Sequence, residues 1–204
     1  MKIFELNATP SAKRVNIFLA EKGIEIERVN VDIRAGENLS HNFKAKSING
    51  QIPVLELDDG TTICESIAIC RYFDALHPDA NSLFGDTPAQ KAQIEMWQRV
   101  VELQGLFVAF QAFRNITGIF SDRENCIKEW GQESRQRLIA FLPKLEQQLS
   151  TEPYIAGQLY SVADITTYVL LDFIENLDIY IDETTPNLQA WRQRLSQRTA
   201  IKNL

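Results

Sequence analysis

An α/β unit followed by an all-α unit is the architecture this 204-residue sequence predicts, and three observations carry it. Short runs of alternating apolar and polar residues, separated by helical stripes, are confined to the stretch before His77. After Pro88 no strand-like run occurs, and apolar residues recur mostly at spacings of three and four. Between the halves, "HPDANSLFGDTP" is rich in turn formers and reads as a connection. The expected division is therefore 1–78, a linker over 79–88, and a helical domain over 89–204.

Each element of the first half has its own signal. "KIFEL" alternates, with Ile3 and Leu6 set against polar neighbours, and predicts a strand. Val15, Ile17, Phe18 and Leu19 form a stripe over Ala12 to Lys22, and Gly23 supplies a C-terminal stop. "IERVNV" alternates again, and a short helix is expected around Leu39 to Lys46. "PVLELDDGTTIC" predicts two strands joined by a turn at Asp58-Asp59-Gly60. "SIAICRYFDAL" predicts a helix ending near His77-Pro78.

The second half reads as helices throughout. Ile94, Trp97, Val101, Phe107, Phe110 and Phe113 form a stripe interrupted by one gap of six. "SDRE" (Ser121 to Glu124) has the form of a capping box opening a long helix, in which Gly131 and Pro143 are potential bends. "SVAD" (Ser161 to Asp164) is a second such box before a helix that is apolar around most of its girth, which predicts burial. A last helix is expected from Pro186 to Gln197.

Composition excludes several function classes. A net charge of −6 argues against a general nucleic-acid binder, whose footprint is basic. No apolar run approaches the roughly 20 residues that span a bilayer. "MKIFELNATP" lacks the apolar core of a secretory signal, and the three cysteines cannot all pair, so a reducing, cytoplasmic compartment is expected. Cys64, Cys70 and Cys126 form no C-x-x-C, and His41 and His77 stand far apart, so no metal is expected. Cys64 and Cys70 read as buried small hydrophobes.

Four segments together have a specific likeness: "KRVNIFLAEKGI", "QIPVLELDDG", "ESIAI" and "YIAGQLYSVADI". In this order and spacing the chain resembles the cytosolic glutathione transferase family over nearly its whole length. The "TPSAKRV" start and "KEWGQESRQR" are similar to bacterial and fungal members, with theta-, zeta- or Nu-like features at the N-terminus. The resemblance implies a thioredoxin-like first domain, a helical second domain, glutathione as co-substrate, a small hydrophobic electrophile as partner substrate, and a homodimer. A glutathione-dependent disulfide reductase or peroxidase, and a non-catalytic ligand-binding or interaction protein on the same fold, are the competing functions.

The same resemblance assigns roles to residues. Pro53 would be cis, and Ile52 would turn its backbone N–H and C=O towards the cysteinyl part of glutathione, a recognition suited to an extended peptide. Ser66 would bind the γ-glutamyl carboxylate at a helix N-terminus, while Glu65 meets the γ-glutamyl amine. Asn38 lies where related sequences often carry His or Lys for the glycine carboxylate; Gln51, Lys13, Lys44 and Lys46 are the alternatives. Phe110 and Phe113, with Arg114 and Asn115 beside them, are candidates for the co-substrate pocket.

The thiolate of glutathione is the nucleophile, so catalysis requires a group that stabilises negative sulfur. The resemblance places that group just after the first strand, at Thr9 or Ser11. Thr-Pro recurs at Thr87-Pro88 and Thr185-Pro186, where it reads as a helix cap followed by proline, so Thr9-Pro10 has a purely structural reading as well.

Overall fold

A computed structural model describes residues 1–78 and 82–202, so part of the expected linker, residues 79–81, lies outside the described residues. Two compact units are formed: Met1–Ser82 together with the segment that begins at Arg198, and Leu83–Gln197.

The first unit is built on a four-stranded sheet of order β2-β1-β3-β4. Strand β1 (Lys2–Glu5) leads through α1 (Pro10–Lys22) to β2 (Glu27–Asn30), which lies parallel to β1. A 3₁₀ turn (Glu37–Leu39) and the short α2 (His41–Lys44) follow. Then β3 (Val54–Glu56) and β4 (Thr62–Cys64) form an antiparallel hairpin, with β3 antiparallel to β1, before α3 (Ser66–Leu76). This βαβ–ββα arrangement is thioredoxin-like. The register pairs Ile3 with Leu55, both fully buried, as are the inward residues Val15, Phe18, Ile69 and Phe73 of α1 and α3. On the other face Phe4 and Val54 pair and pack with Val31 and with Phe43 of α2.

Two expectations shift in this unit. Helix α1 starts at Pro10 rather than Ala12, because proline's fixed φ and missing N–H suit the first helical position. The inward residues of β1 are Ile3 and Glu5, not Ile3 and Leu6, since a strand repeats every two residues. Burial pushes the Glu5 carboxyl above its ordinary range, and Arg28, 3.1 Å away, pulls against that shift. Cys70 is fully buried and its thiol is pushed far up by burial, whereas Cys64, expected inside, is only half-buried. The last helix is also shorter than expected: α8 ends at Leu195, and after it Arg198 makes a two-pronged ion pair with Glu21 of α1 (2.6 and 2.8 Å) before α9 (Thr199–Lys202).

The second unit contains α4 (Pro88–Val101), α5 (Phe107–Thr117), α6 (Lys128–Thr151), α7 (Val162–Ile174) and α8 (Pro186–Leu195). The gap of six in the first stripe marks a π-helical turn at Glu102–Leu106, where the widened helix shifts the phase of the apolar face. Gly105 is required there: a Cβ would come within 2.5 Å of Leu170 and 3.0 Å of Phe141.

The "SDRE" box does not open α6. Ser121 to Glu124 lie in turns, Glu124 is taken by Arg114 (2.7 Å) and Asp122 by Arg123 (2.7 Å). The helix instead begins at Lys128, and the N–H of Ile127 donates to Asn115 Oδ1 at 2.7 Å. Gly131 lets α6 approach α5 closely, because a Cβ would meet Ile116 and Asn115 at 2.8–3.0 Å, and α6 runs on through Pro143.

The "SVAD" box forms as expected, and more donors converge on it than a cap alone supplies. Asp164, fully buried, accepts from Ser161 N–H (3.0 Å) and Ser161 Oγ (3.1 Å), from Ile155 N–H (2.9 Å) and from Trp191 Nε1 (3.1 Å). It ties the start of α7 to the preceding loop and to α8. Burial pushes its carboxyl up to about 6, against the pull of these four donors.

Candidate functional site

The register of the sheet brings the segments at Ile52-Pro53 and Glu65-Ser66 together at one end of the sheet, the edge formed by the strand termini. Val54 pairs with Phe4 and with Cys64, so the start of β3 lies between the ends of β1 and β4. The residues just beyond those pairs on β3 and β4 are Ile52-Pro53 and Glu65-Ser66, neighbouring strands lie about 4.8 Å apart, and Thr9 to Ser11 follow the turn that leaves β1. Helices α1 and α3 both begin at this edge, so two positive helix ends serve the same place.

The Ile52–Pro53 peptide is cis, and the N–H and C=O of Ile52 enter no hydrogen bond among the described residues. Glu65 occupies the N-cap position of α3 with φ +69° and ψ 117°, a conformation non-glycine residues rarely adopt and one that costs about 1–3 kcal/mol. Its side chain makes no cap bond and instead accepts from Asn49 Nδ2 at 3.1 Å. Ser66, the first residue of α3, is 3% exposed, and its buried hydroxyl has no hydrogen-bond partner among the described residues. A buried polar atom left unpaired costs about 1–3 kcal/mol, so an orphan beside a strained backbone marks a place shaped for something else to bind.

Thr9 is the N-cap residue of α1, yet its side chain makes no cap bond; its hydroxyl donates to the Leu6 carbonyl at 2.8 Å. Thr185 behaves in the same way, donating to the Asp182 carbonyl at 3.1 Å, whereas Thr87 truly caps by accepting from Gln90 N–H at 3.2 Å. Ser11 is half-buried in the first turn of α1. Asn38 donates to the Gly50 carbonyl at 2.7 Å and leaves its buried Oδ1 unpaired, so it braces the loop before β3. Gln51 is exposed, and Lys46 is ion-paired with Glu56.

Residues 8–76 match the family description "Glutathione S-transferase, N-terminal domain", and residues 109–199 match "Glutathione S-transferase, C-terminal domain". The chain belongs to the glutathione S-transferase family. It is similar to glutathione S-transferase 2 of Saccharomyces cerevisiae, with 36% identity over 100% of this chain and 89% of that protein. The crystal structure of a class Gtt2 glutathione S-transferase of Vibrio parahaemolyticus shares 52% identity at a TM-score of 0.89, covering 99% of this chain and 96% of that one. The crystal structure of Gtt2 from Saccharomyces cerevisiae superposes at a TM-score of 0.93 with 35% identity, covering 100% and 99%.

In the transferase, the four expected pocket residues of α5 are half-buried within the helical unit. Phe110 and Phe113 both meet the ring of Phe173 edge-on, at centroid distances of 5.2 and 5.3 Å. Arg114 pairs with Glu124 and lies over Phe120, and Asn115 is committed to Ile127 N–H and to the Gln111 carbonyl (2.9 Å). A cleft of about 370 Å³ in the same unit, lined by Ile94, Trp97, Glu152 and Gln158 among others, contains none of the expected site residues. Among the described residues no cluster of His, Cys, Asp or Glu could hold a metal ion, and no helix is long and apolar enough to cross a membrane. Sequence reasoning passed over Ser47 and Asn49, whose side chains organise the loop before Ile52; their signal was the turn formers of the "SING" run ahead of the proline.

Proposed function

We propose that this glutathione transferase conjugates the glutathione thiolate to a small hydrophobic electrophile, and that the sheet edge of the first unit holds the tripeptide. The orphaned, buried Ser66 hydroxyl at the start of α3 is the observation that carries this reading. A ligand carboxylate there would accept from Ser66 Oγ and from the free N–H groups of the helix end. Glu65 would meet the neighbouring γ-glutamyl ammonium, so one zwitterion is read by adjacent groups of opposite function. The unpaired Ile52 N–H and C=O would pair with the cysteinyl backbone in strand fashion. Gln51 and Asn38 lie on the loop towards the glycine end, Gln51 with an exposed amide and Asn38 as a brace.

The sulfur would then face the start of α1, where the helix end and a hydroxyl stabilise the thiolate. Thr9 serves by turning its hydrogen from the Leu6 carbonyl to sulfur, and Ser11 is the alternative donor. Residues 8–15 contain no cysteine, so a protein thiol for disulfide exchange is lacking at this helix start, which favours conjugation over a reductase. Phe110 and Phe113 are the proposed apolar contacts for the electrophile, with Arg114 and Asn115 as their polar neighbours. The test is thiol conjugation to an aromatic halide by the purified protein, with the bound thiol's pKa followed by thiolate absorbance. Thr9→Val is expected to raise that pKa and lower kcat while Ser11→Ala leaves both unchanged. The reverse pattern transfers the role to Ser11, and no turnover despite glutathione binding refutes the reading.

A homodimer is part of the same proposal. Met96, Leu103 and Phe107 follow one another along α4 and the π turn into α5, 52%, 57% and 54% exposed, apolar surface that a second copy would cover. Sedimentation is expected to give twice the 23.3 kDa chain mass, and Phe107→Asp to shift the protein towards the single-chain value.

A further inference from the structure

The two segments proposed to read glutathione, the backbone at Ile52 and the acidic pair Glu65-Ser66, are joined by one side chain. Asn49 Nδ2 donates to Glu65 Oε1 at 3.1 Å, and Asn49 Oδ1 accepts from the backbone N–H of Gln51 at 3.0 Å. Ser47, 2% exposed, sits beneath this bridge: its Oγ also accepts from Gln51 N–H (3.0 Å) and lies 3.1 Å from Asn49 Oδ1 and 2.9 Å from the Gln51 carbonyl. The Gln51 peptide is thus clamped through its N–H by two side chains, immediately before the Ile52 peptide.

The chemistry of the amide is what allows this. An Asn side chain is a donor at one end and an acceptor at the other, so it can serve a carboxylate and a backbone N–H at once. The assignment of its two ends is forced by its partners, because a carboxylate oxygen only accepts and an N–H only donates. Glu65 by contrast is exposed, long, and makes no bond to its own helix end. Left alone, its carboxylate would sample several rotamers, and binding would have to freeze them. With Oε1 held by Asn49, the other oxygen is presented in one place.

We propose that Asn49 is a positioning residue for glutathione, orienting the Glu65 carboxylate towards the γ-glutamyl ammonium, with the Gln51 N–H, held by Ser47 as well, as its anchor. This rests on the reading of Glu65 as the ammonium's partner. Asn49 touches no reacting atom, so its effect falls on glutathione binding and KM and leaves kcat unchanged. Holding one rotamer-rich side chain in place corresponds to about a three- to tenfold gain in affinity.

The test compares calorimetric affinities for glutathione and for glutaryl-cysteinylglycine, the same tripeptide without its γ-glutamyl amine. Wild type should prefer glutathione; if it binds both equally, the reading of Glu65 fails and the proposal with it. Given that preference, Asn49→Ala is expected to lose three- to tenfold for glutathione and nothing for the analogue. Asn49→Ser, too short to reach Glu65, should behave as Asn49→Ala does, which guards against an effect of loop collapse in one variant. Equal losses for both ligands would show Asn49 acting through the Gln51 peptide alone and overturn the proposal. Unchanged affinity for glutathione would overturn it as well.

Discussion

Replacing Asp164 with alanine is expected to lower the free energy of unfolding by about 3–5 kcal/mol. The carboxylate is fully buried, and the substitution would strand the N–H groups of Ser161 and Ile155 and the indole N–H of Trp191 in a dry interior. Each stranded donor costs about 1–3 kcal/mol, and the helix cap of α7 is lost as well. Denaturant unfolding of the purified variant reads this directly, and a loss below about 1 kcal/mol would show the network to be dispensable.

The same residue predicts a pH dependence whose sign is fixed by its position. Its carboxyl is pushed up to about 6 in the folded protein, above the value near 4 of an unfolded chain. The folded state therefore holds a proton that the unfolded state has released between those values. This stabilisation is fully present below pH 4 and is lost as pH rises through about 6, an effect on the order of 3 kcal/mol. Because other carboxylates titrate in the same range, the measurement is the difference in unfolding free energy between wild type and Asp164→Asn. That difference should move in favour of wild type as pH falls from 7 to 4, by roughly the amount above. A difference independent of pH would contradict the burial of a titrating group at this site.

Ser66→Ala is expected to weaken glutathione binding by about ten- to a hundredfold, the value of a hydrogen bond to a charged group. Its effect on the free protein should run the other way. The Ser66 hydroxyl is buried and unpaired, so removing it relieves a desolvated polar group and leaves stability unchanged or raised by up to about 1 kcal/mol. Opposite signs for stability and binding are the mark of a residue kept for a ligand. Calorimetric titration with glutathione and thermal unfolding without it test the two halves separately. A loss of stability with unchanged binding would make Ser66 an ordinary structural serine.

The places of the candidate residues in their elements were legible in the sequence, whereas the roles proposed for them rest on the family resemblance. Glu65 and Ser66 stand where a strand hands over to a helix, and Pro53 opens a strand, positions readable from spacing alone. The "SVAD" box was legible for the same reason, since its partners lie within one helical turn. The "SDRE" box has the same form and fails, because its acids are claimed by Arg114 and Arg123. The gap of six between Val101 and Phe107 was visible, but not that a π turn absorbs it, nor that Gly105 in that turn lies against Leu170 and Phe141. The link from Asn49 to Glu65 was unreadable: an Asn in a turn-forming loop is what any turn would use.

The sequence by itself determined the order of elements, the split into an α/β and an all-α half, and the identities of the candidate residues. Only the tertiary structure decided which of their polar atoms are already spent. Thr9 gives its hydrogen to Leu6, Asn115 serves the start of α6, and Asn38 braces Gly50, while the Ser66 hydroxyl and the Ile52 peptide have no partner among the described residues. The physical reason is that a side chain's donors and acceptors are written in its identity, but whether they are satisfied depends on neighbours that strand pairing brings from distant parts of the chain.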